Sequence, residues 1–554
     1  MIKYGILRLK QHYHKVNTNA EELLADYTYN ELGQVTNKKV GNNLQSIDYA
    51  YNIRGTLTKV NNPDNLGTDL FGYELKLAST SNASVAQARY NGNITEMTWK
   101  SSGDGVLKRY SYQYDAYNRL KAAIYQEPES FVPQNGFYNE FMSYDANGNI
   151  TSLKRNQKGY TGTVEEIDEL VYSYPSGNRL ESVVDLKNNY AGYPETSGNI
   201  ISYDDNGSMT SHIDKGILEI KYNILDLPSY VKFSNYVRRT TGDVYQNTSY
   251  SYRADGVKVK KVHHYFFGRG KTDALATTEY IDGFQYHQDT GTTGNISGLQ
   301  FYATSEGYFD FANNRYIYHY NDHLGNVRVS FAREGNTAII VQQNDYYAFG
   351  LRHSIGISAI GDYKYQYNGK ELQEELGMYD YGARFYMPDI GRWGVVDPLA
   401  EMYTRHSPYH YAVNNPMRFI DPDGRSSQTF EGQDAQSVYW YFYFHGSMGG
   451  FNGDNFSSLG GSNQSSNLSA SFSYIDAGGS SGGGGGGGSS LSPWMQSYVN
   501  NNPIYNKFLR DISNYKNNKP GFGDDGGYFG LSNSDLKNAY FNKLVKSFYQ
   551  KITK

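Results

Sequence analysis

No cysteine occurs among the 554 residues, so disulfides, thiolate metal sites and thiol nucleophiles are excluded together. A chain this long without a thiol also suits a bacterial protein that leaves the cytosol. Long hydrophobic runs are missing too. No window approaches the roughly 18 uncharged apolar residues of a membrane helix, and the opening "MIKYGILRLKQHYHKV" lacks the apolar stretch of a signal peptide. That opening has the texture of the interior of something longer. Neither sign of charge dominates, since 51 Lys and Arg stand against 56 Asp and Glu for a net charge of −5. Nothing there draws the chain to nucleic acid or anionic lipid. The expectation is a secreted or cell-surface protein with no transmembrane segment and no nucleic-acid partner.

What is abundant is tyrosine, 56 residues, beside 59 glycines and only 38% hydrophobic residues. This composition favours half-buried pleated surface over a compact apolar core. The tyrosines recur in a phrase: "YTYNELGQV" from Tyr27, "YAYNIRGTL" from Tyr49, "YQYDAYNRL" from Tyr112, "YSYPSGNRL" from Tyr172 and "YSYRADGVKV" from Tyr250. Single-Tyr forms are "YDANGNI" from Tyr144, "YDDNGSM" from Tyr203 and "YNILDLPSY" from Tyr222. Tyr-x-Tyr puts two rings on one face of a strand. Asn or Asp then opens a turn, and Gly supplies positive φ. Strand, tight turn, strand follows, at a spacing too irregular for equal propeller blades. The tyrosines read as packing surface, and a buried phenol needs a hydrogen-bond partner.

The Tyr-Asp-x-x-Gly-Asn phrase resembles the YD repeat of RHS proteins. "TEYIDGFQY", "YHYNDHLGNVR", "QQNDYYAFG", "YNGKELQEELGMYDYGARFYMPDIGRWGVVDP" and "YHYAVNNPMRFIDPDG" run in the order of the RHS repeat-associated core. The resemblance spans about residues 25 to 424. It implies an all-β fold, a long antiparallel sheet of hairpins spiralling into a partial hollow shell, with a small helical segment at the C-terminus. Such shells usually have more repeats than this stretch supplies, so a truncated member or a shell completed by a neighbour is expected. The implied divisions are 1–26, a repeat shell 27–277, a core 278–424, a Gly/Ser-rich linker 425–490 and a helical tip 491–554.

In that family, and in the similar C components of Tc toxins, two Asp-Pro aspartates resemble an aspartic-protease dyad that cuts the chain just after the second motif. Here they are Asp397 and Asp421, with the expected cut at Gly424 and Arg425. Two carboxylates held together cannot both ionise cheaply, so one serves as acid and the other as base. Arg392, in "GRW", is carried over as a supporting residue. Two features depart from the family pattern: the first motif reads "DPLA" rather than Asp-Pro-x-Gly, and Arg425 stands where Leu is common. The same residues also read as turn formers that end strands.

Other candidates fail on spacing. "FGRGKT" lacks the first glycine of a phosphate loop, and "DANGN" places its glycine too early for a calcium loop. The histidines of "HYHKV", His263 and His264 have no ligand-spaced partners, and His319, Asp322 and His323 fit a hairpin. No metal or cofactor is expected. Past Gly424 the tail holds one histidine, His445, and one glutamate, Glu431, too few for a paired-histidine nuclease. Asp524 and Asp525 sit among glycines. Helices are expected from Pro503 and from Ser532. The implied function is a scaffold that encloses or displays this tail, a polymorphic toxin in competition between cells. Alternatives are a non-toxic surface protein or adhesin and a fragment of a longer protein. Implied partners are the tail as cargo, an immunity protein and a secretion apparatus.

Overall fold

The structure, a computed structural model, describes residues 2–5, 8–291, 297–353 and 363–427. Beyond Ser427 the expected linker lies outside these residues, as do the helical tip, His445, Glu431, Asp524 and Asp525. What is described is β throughout, with only four short 3-10 turns.

Two antiparallel sheets of 14 and 13 strands carry the chain, each with its strands in unbroken sequence order. The first runs from Ile2–Gly5 to Ser182–Asp185 and the second from Ile201–Tyr203 to Thr337–Gln343. Gly198 N donates to Val183 O at 2.7 Å and Ile201 N to Glu181 O at 2.8 Å, which ties the end of one sheet to the start of the next. Strand Thr272–Ile281 spans residue 277, and the sheet continues through it without a break.

The repeat has a concrete physical cause. In unit after unit the tyrosine next to the turn reaches across the neighbouring strand and donates its phenol to a backbone carbonyl. Tyr29 finds Leu9, Tyr51 Val35, Tyr114 Ile94, Tyr144 Leu120, Tyr174 Ile150, Tyr222 Met209 and Tyr252 Pro228, all at 2.6–3.0 Å. The turn beside it is equally regular. Asn52 Oδ1 accepts from Thr56 N while Gly55 N returns to Asn52 O, and Asp145, Asp204 and Asp322 repeat the pattern. Gly55 at φ +82° and Gly148 at φ +85° supply the left-handed residue such a turn needs. Asp322 and His323 therefore belong to a hairpin turn, with His323 Nε2 on Met417 O at 3.0 Å. The Lys-Thr of "FGRGKT" lies at another hairpin, between Lys258–Phe267 and Thr272–Ile281.

The strip curls back on itself. Tyr318 donates to Glu22, Tyr320 to Gln45 and Tyr27 to Glu306, each at 2.8 Å. Lys38 Nζ lies 2.6 Å from the same Glu306, whose side chain is 2% exposed. Burial pushes the Glu306 carboxyl up, and Lys38 opposes the shift. Lys38→Met, which leaves a buried carboxylate without its cation, should cost about 3–5 kcal/mol in urea unfolding. Pairing it with Glu306→Gln should recover most of that loss.

Residues 344–353 and 363–427 pack against the strip. Their small sheet is Glu371–Gln373, Met378–Asp380, Phe385–Met387 and Arg392–Trp393. Trp99 Nε1, Lys108 Nζ and Arg328 Nη2 converge on Asp345 at 2.6–2.8 Å. Their cations hold its carboxyl well below the usual range despite burial. Arg155, fully buried, links Glu140 and Asp168 of the strip to the carbonyls of Pro388 and Asp389.

Candidate functional site at the end of the core

The site is built where the small sheet meets the final turn. The segment "YGAR" turns at Tyr381–Arg384, with Tyr381 N on Arg384 O at 3.0 Å. This aims the Arg384 side chain across the Trp393 face, 4.3 Å from the ring centroid. Asp397 follows strand Arg392–Trp393, and its Oδ1 accepts Leu399 N at 2.8 Å. Ala400, where a glycine is usual, opens a 3-10 helix Ala400–Tyr403, which alanine enters without strain. Asp421 heads the last turn. Before it the chain is sewn to the strip: Asn414 Nδ2 reaches Gly148 O at 2.7 Å and Asn415 Nδ2 reaches Asn118 O at 3.0 Å.

Asp397 and Asp421 come together through a residue the sequence reading missed. Arg384 Nη2 donates to Asp397 Oδ2 and to Asp421 Oδ2, both at 2.9 Å, and all three side chains are at most 4% exposed. Burial is the largest force on Asp397 and lifts its carboxyl above the usual range, Asp421 reinforces the lift, and Arg384 opposes it. Two carboxylates thus share one cation in a dry setting, where charge interactions are strong.

Arg392 stands elsewhere. Its guanidinium donates to Tyr174 Oη at 2.7 Å and to Asn178 O at 3.2 Å, and it lies over the rings of Tyr174 and Tyr409. Arg392, carried over as a supporting residue, makes these bonds to the repeat strip, where strand Arg392–Trp393 directs it. A signal for Arg384 was present, a single cation in the aromatic run "MYDYGARFYM". A charge buried in such a run requires a partner.

The Gly424–Arg425 peptide is held at both ends. Arg384 Nε donates to Gly424 O at 2.5 Å, and Arg425 N donates to Asp421 Oδ1 at 2.9 Å. Ser426 N reaches the same oxygen at 3.2 Å. Gly424 sits at φ +77°, and an added Cβ would come within 3.0 Å of Arg384 N, so the motif requires glycine here. Tyr403 Oη donates to Ser427 O at 3.2 Å. The arrangement places a guanidinium on a carbonyl oxygen and a carboxylate beside the adjoining amide nitrogen. Among the described residues, no group of three or more histidines and carboxylates is placed to hold a metal.

No family model matches the chain. Salivary gland surface protein 1 of Aedes aegypti is 30% identical over 241 residues, 42% of this chain and 7% of that protein. Toxin subunit YenC1 of Yersinia entomophaga is 31% identical over 123 residues, 22% of this chain and 12% of its own. The chain thus spans only a small part of these relatives. A crystal structure of TcdB2–TccC3 without the hypervariable C-terminal region superposes with a TM-score of 0.57 at 19% identity, covering 75% of this chain and 20% of that one. It shares the β-shell fold. With its repeats, its ordered core motifs and these likenesses, the chain belongs to the RHS/YD-repeat proteins that carry an RHS repeat-associated core.

Proposed function

We propose that this chain is a β-shell scaffold that encloses or displays its own C-terminal segment, outside the producing cell, and that it cuts itself at Gly424–Arg425. The observation that carries the reading is the grip on that peptide, Arg384 on its carbonyl oxygen and Asp421 at its nitrogen. Hydrolysis needs negative charge stabilised on the oxygen, a proton moved from water, and a proton delivered to the nitrogen. Arg384 answers the first need. Asp397, with its raised carboxyl, and Asp421, bridged to it by Arg384, answer the others. The order of the parts favours release or display of the tail, because the cut falls where the scaffold ends.

The likeness to a toxin subunit favours a toxic tail, used against neighbouring cells and neutralised in the producer by an immunity protein. The likeness to a surface protein over 42% of the chain favours display without toxicity. The test is the intact mass of the purified full chain. Two fragments meeting at Gly424 and Arg425 are expected, together heavier than the chain by one water. Asp421→Asn should remain whole, a loss of at least about a thousandfold in rate. A wild-type chain that stays uncut rules out self-processing. Growth of a host expressing the tail then separates toxin from display.

A further inference from the structure

Asp423, the variable residue inside Asp421-Pro422-Asp423-Gly424, has no part in the reaction described so far. Yet Arg425 N donates to two carboxylates, Asp421 Oδ1 at 2.9 Å and Asp423 Oδ1 at 3.1 Å. The turn that presents Asp423 is pinned from the small sheet. Ala383 N donates to Asp423 O at 3.1 Å, and Lys370 Nζ to Pro422 O at 2.5 Å. We propose that Asp423 is a positioning residue of the processing site: it fixes the Arg425 N–H before the bond breaks and supplies the counter-charge for the amine that breaking it creates. This rests on the self-processing reading above.

In the step, the hydroxyl of water bonds to the Gly424 carbonyl carbon and the C–N bond breaks, its electron pair going to Arg425 N. That nitrogen takes the remaining proton of water. The new acid at Gly424 then gives its proton to the new amine, leaving a carboxylate near Arg384 and an ammonium between Asp421 and Asp423. The C–N bond breaks only as the nitrogen is protonated, so positive charge develops on it as that proton arrives, and a second negative charge within hydrogen-bond distance favours this step. A serine or asparagine here would offer an acceptor without that charge.

The groups facing Asp423 are Asp421 and Arg425 from its own turn, and Lys370 from just before strand Glu371–Gln373. Burial, then Asp421, push its carboxyl up to about 6, while Arg425 and Lys370 oppose the shift. The carboxylate is therefore mostly protonated at pH 5 and mostly ionised at pH 7. The contribution it makes to the rate should appear across that window.

The experiment follows the conversion of the intact full chain to fragments by mass, from pH 5 to 8, with the melting temperature of each variant recorded. In wild type the rate should rise by about tenfold from pH 5 to pH 7, the change in ionised fraction of one group titrating near 6. Asp423→Asn keeps an acceptor of the same shape without the charge. Its rate should change by less than about twofold over the window and be at least about fivefold lower at pH 7, at unchanged melting temperature. Asp423→Glu should restore the rise with pH. A purely structural role would not flatten the profile. If Asp423→Asn is processed with the wild-type rate and profile while Asp421→Asn stays whole, the inference fails and the processing reading stands. An uncut wild-type chain at every pH overturns both.

Discussion

Replacing Arg384 with methionine is expected to slow self-processing by at least about a hundredfold, the scale seen when one donor to a developing oxyanion is removed. The side chain does two things at once. Nε holds the oxygen of Gly424, and Nη2 holds the two carboxylates together. Without it the oxygen loses its positive charge, and Asp397 and Asp421 face each other across a buried gap with nothing between them. Lysine should not rescue the rate, because a single ammonium cannot serve an oxygen and a carboxylate pair with the fork geometry of a guanidinium. Arg392→Met is the control. It removes the bonds to Tyr174 and Asn178 and should lower the melting temperature, yet leave the rate per folded molecule within about twofold. Time courses of fragment formation at 25 °C for the three variants decide this.

A stability effect as large as that at Lys38 is expected at Arg155. It is fully buried and donates to Glu140 Oε1 at 2.8 Å, Asp168 Oδ2 at 3.1 Å, Asp389 O at 2.6 Å and Pro388 O at 2.9 Å. Arg155→Met keeps the volume but strands two carboxylates and two carbonyls away from water. Breaking a buried ion pair from one side costs about 3–5 kcal/mol, and melting should fall by about 4–6 degrees. The deficit should depend on pH in a definite direction. Burial already holds the Asp168 carboxyl above its usual range, and Arg155 is what opposes the shift. Without Arg155 the shift grows. A carboxyl raised in the folded state takes up protons on folding, so its contribution to stability falls as pH rises. The variant should therefore lose less relative to wild type near pH 5 than near pH 8, measured by urea unfolding. A loss of under about 1 kcal/mol at both values would mean that residues 363–427 are held to the strip chiefly by their aromatic packing.

Both predictions concern residues whose partners local sequence reasoning does not identify, and the reason is the same for each. Arg155 lies in "LKRNQK" and Arg384 in "YGARFY", where nothing nearby in the chain shows what either will touch. The partners of Arg155 at Pro388 and Asp389 are over 230 residues away. The repeat, by contrast, is written locally. The turn bonds of Asn52, Asp145 and Asp204 join residues three or four apart, and the tyrosine that follows each strand reaches only as far as the neighbouring strand. Such contacts leave a pattern in composition and spacing. Arg392 shows the converse. Its motif position was legible, but whether its guanidinium turns toward the carboxylates or toward Tyr174 depends on how the small sheet sits on the strip.

The sequence by itself determined the strand-turn-strand repeat, the antiparallel order that follows from short turns, and Asp397 and Asp421 as a candidate pair. Each of these rests on side-chain alternation, turn chemistry or an ordered set of motifs, all of which act over a few residues. Only the tertiary structure decided that the strip curls until Tyr27 and Lys38 meet Glu306. It also decided that Arg384 rather than Arg392 joins the two aspartates, and that the Gly424–Arg425 peptide lies between a guanidinium and a carboxylate. Those outcomes depend on where buried charges find their counter-charges. A charge removed from water must be met by whatever the folded chain brings within about 3 Å, and strands hundreds of residues apart supply it.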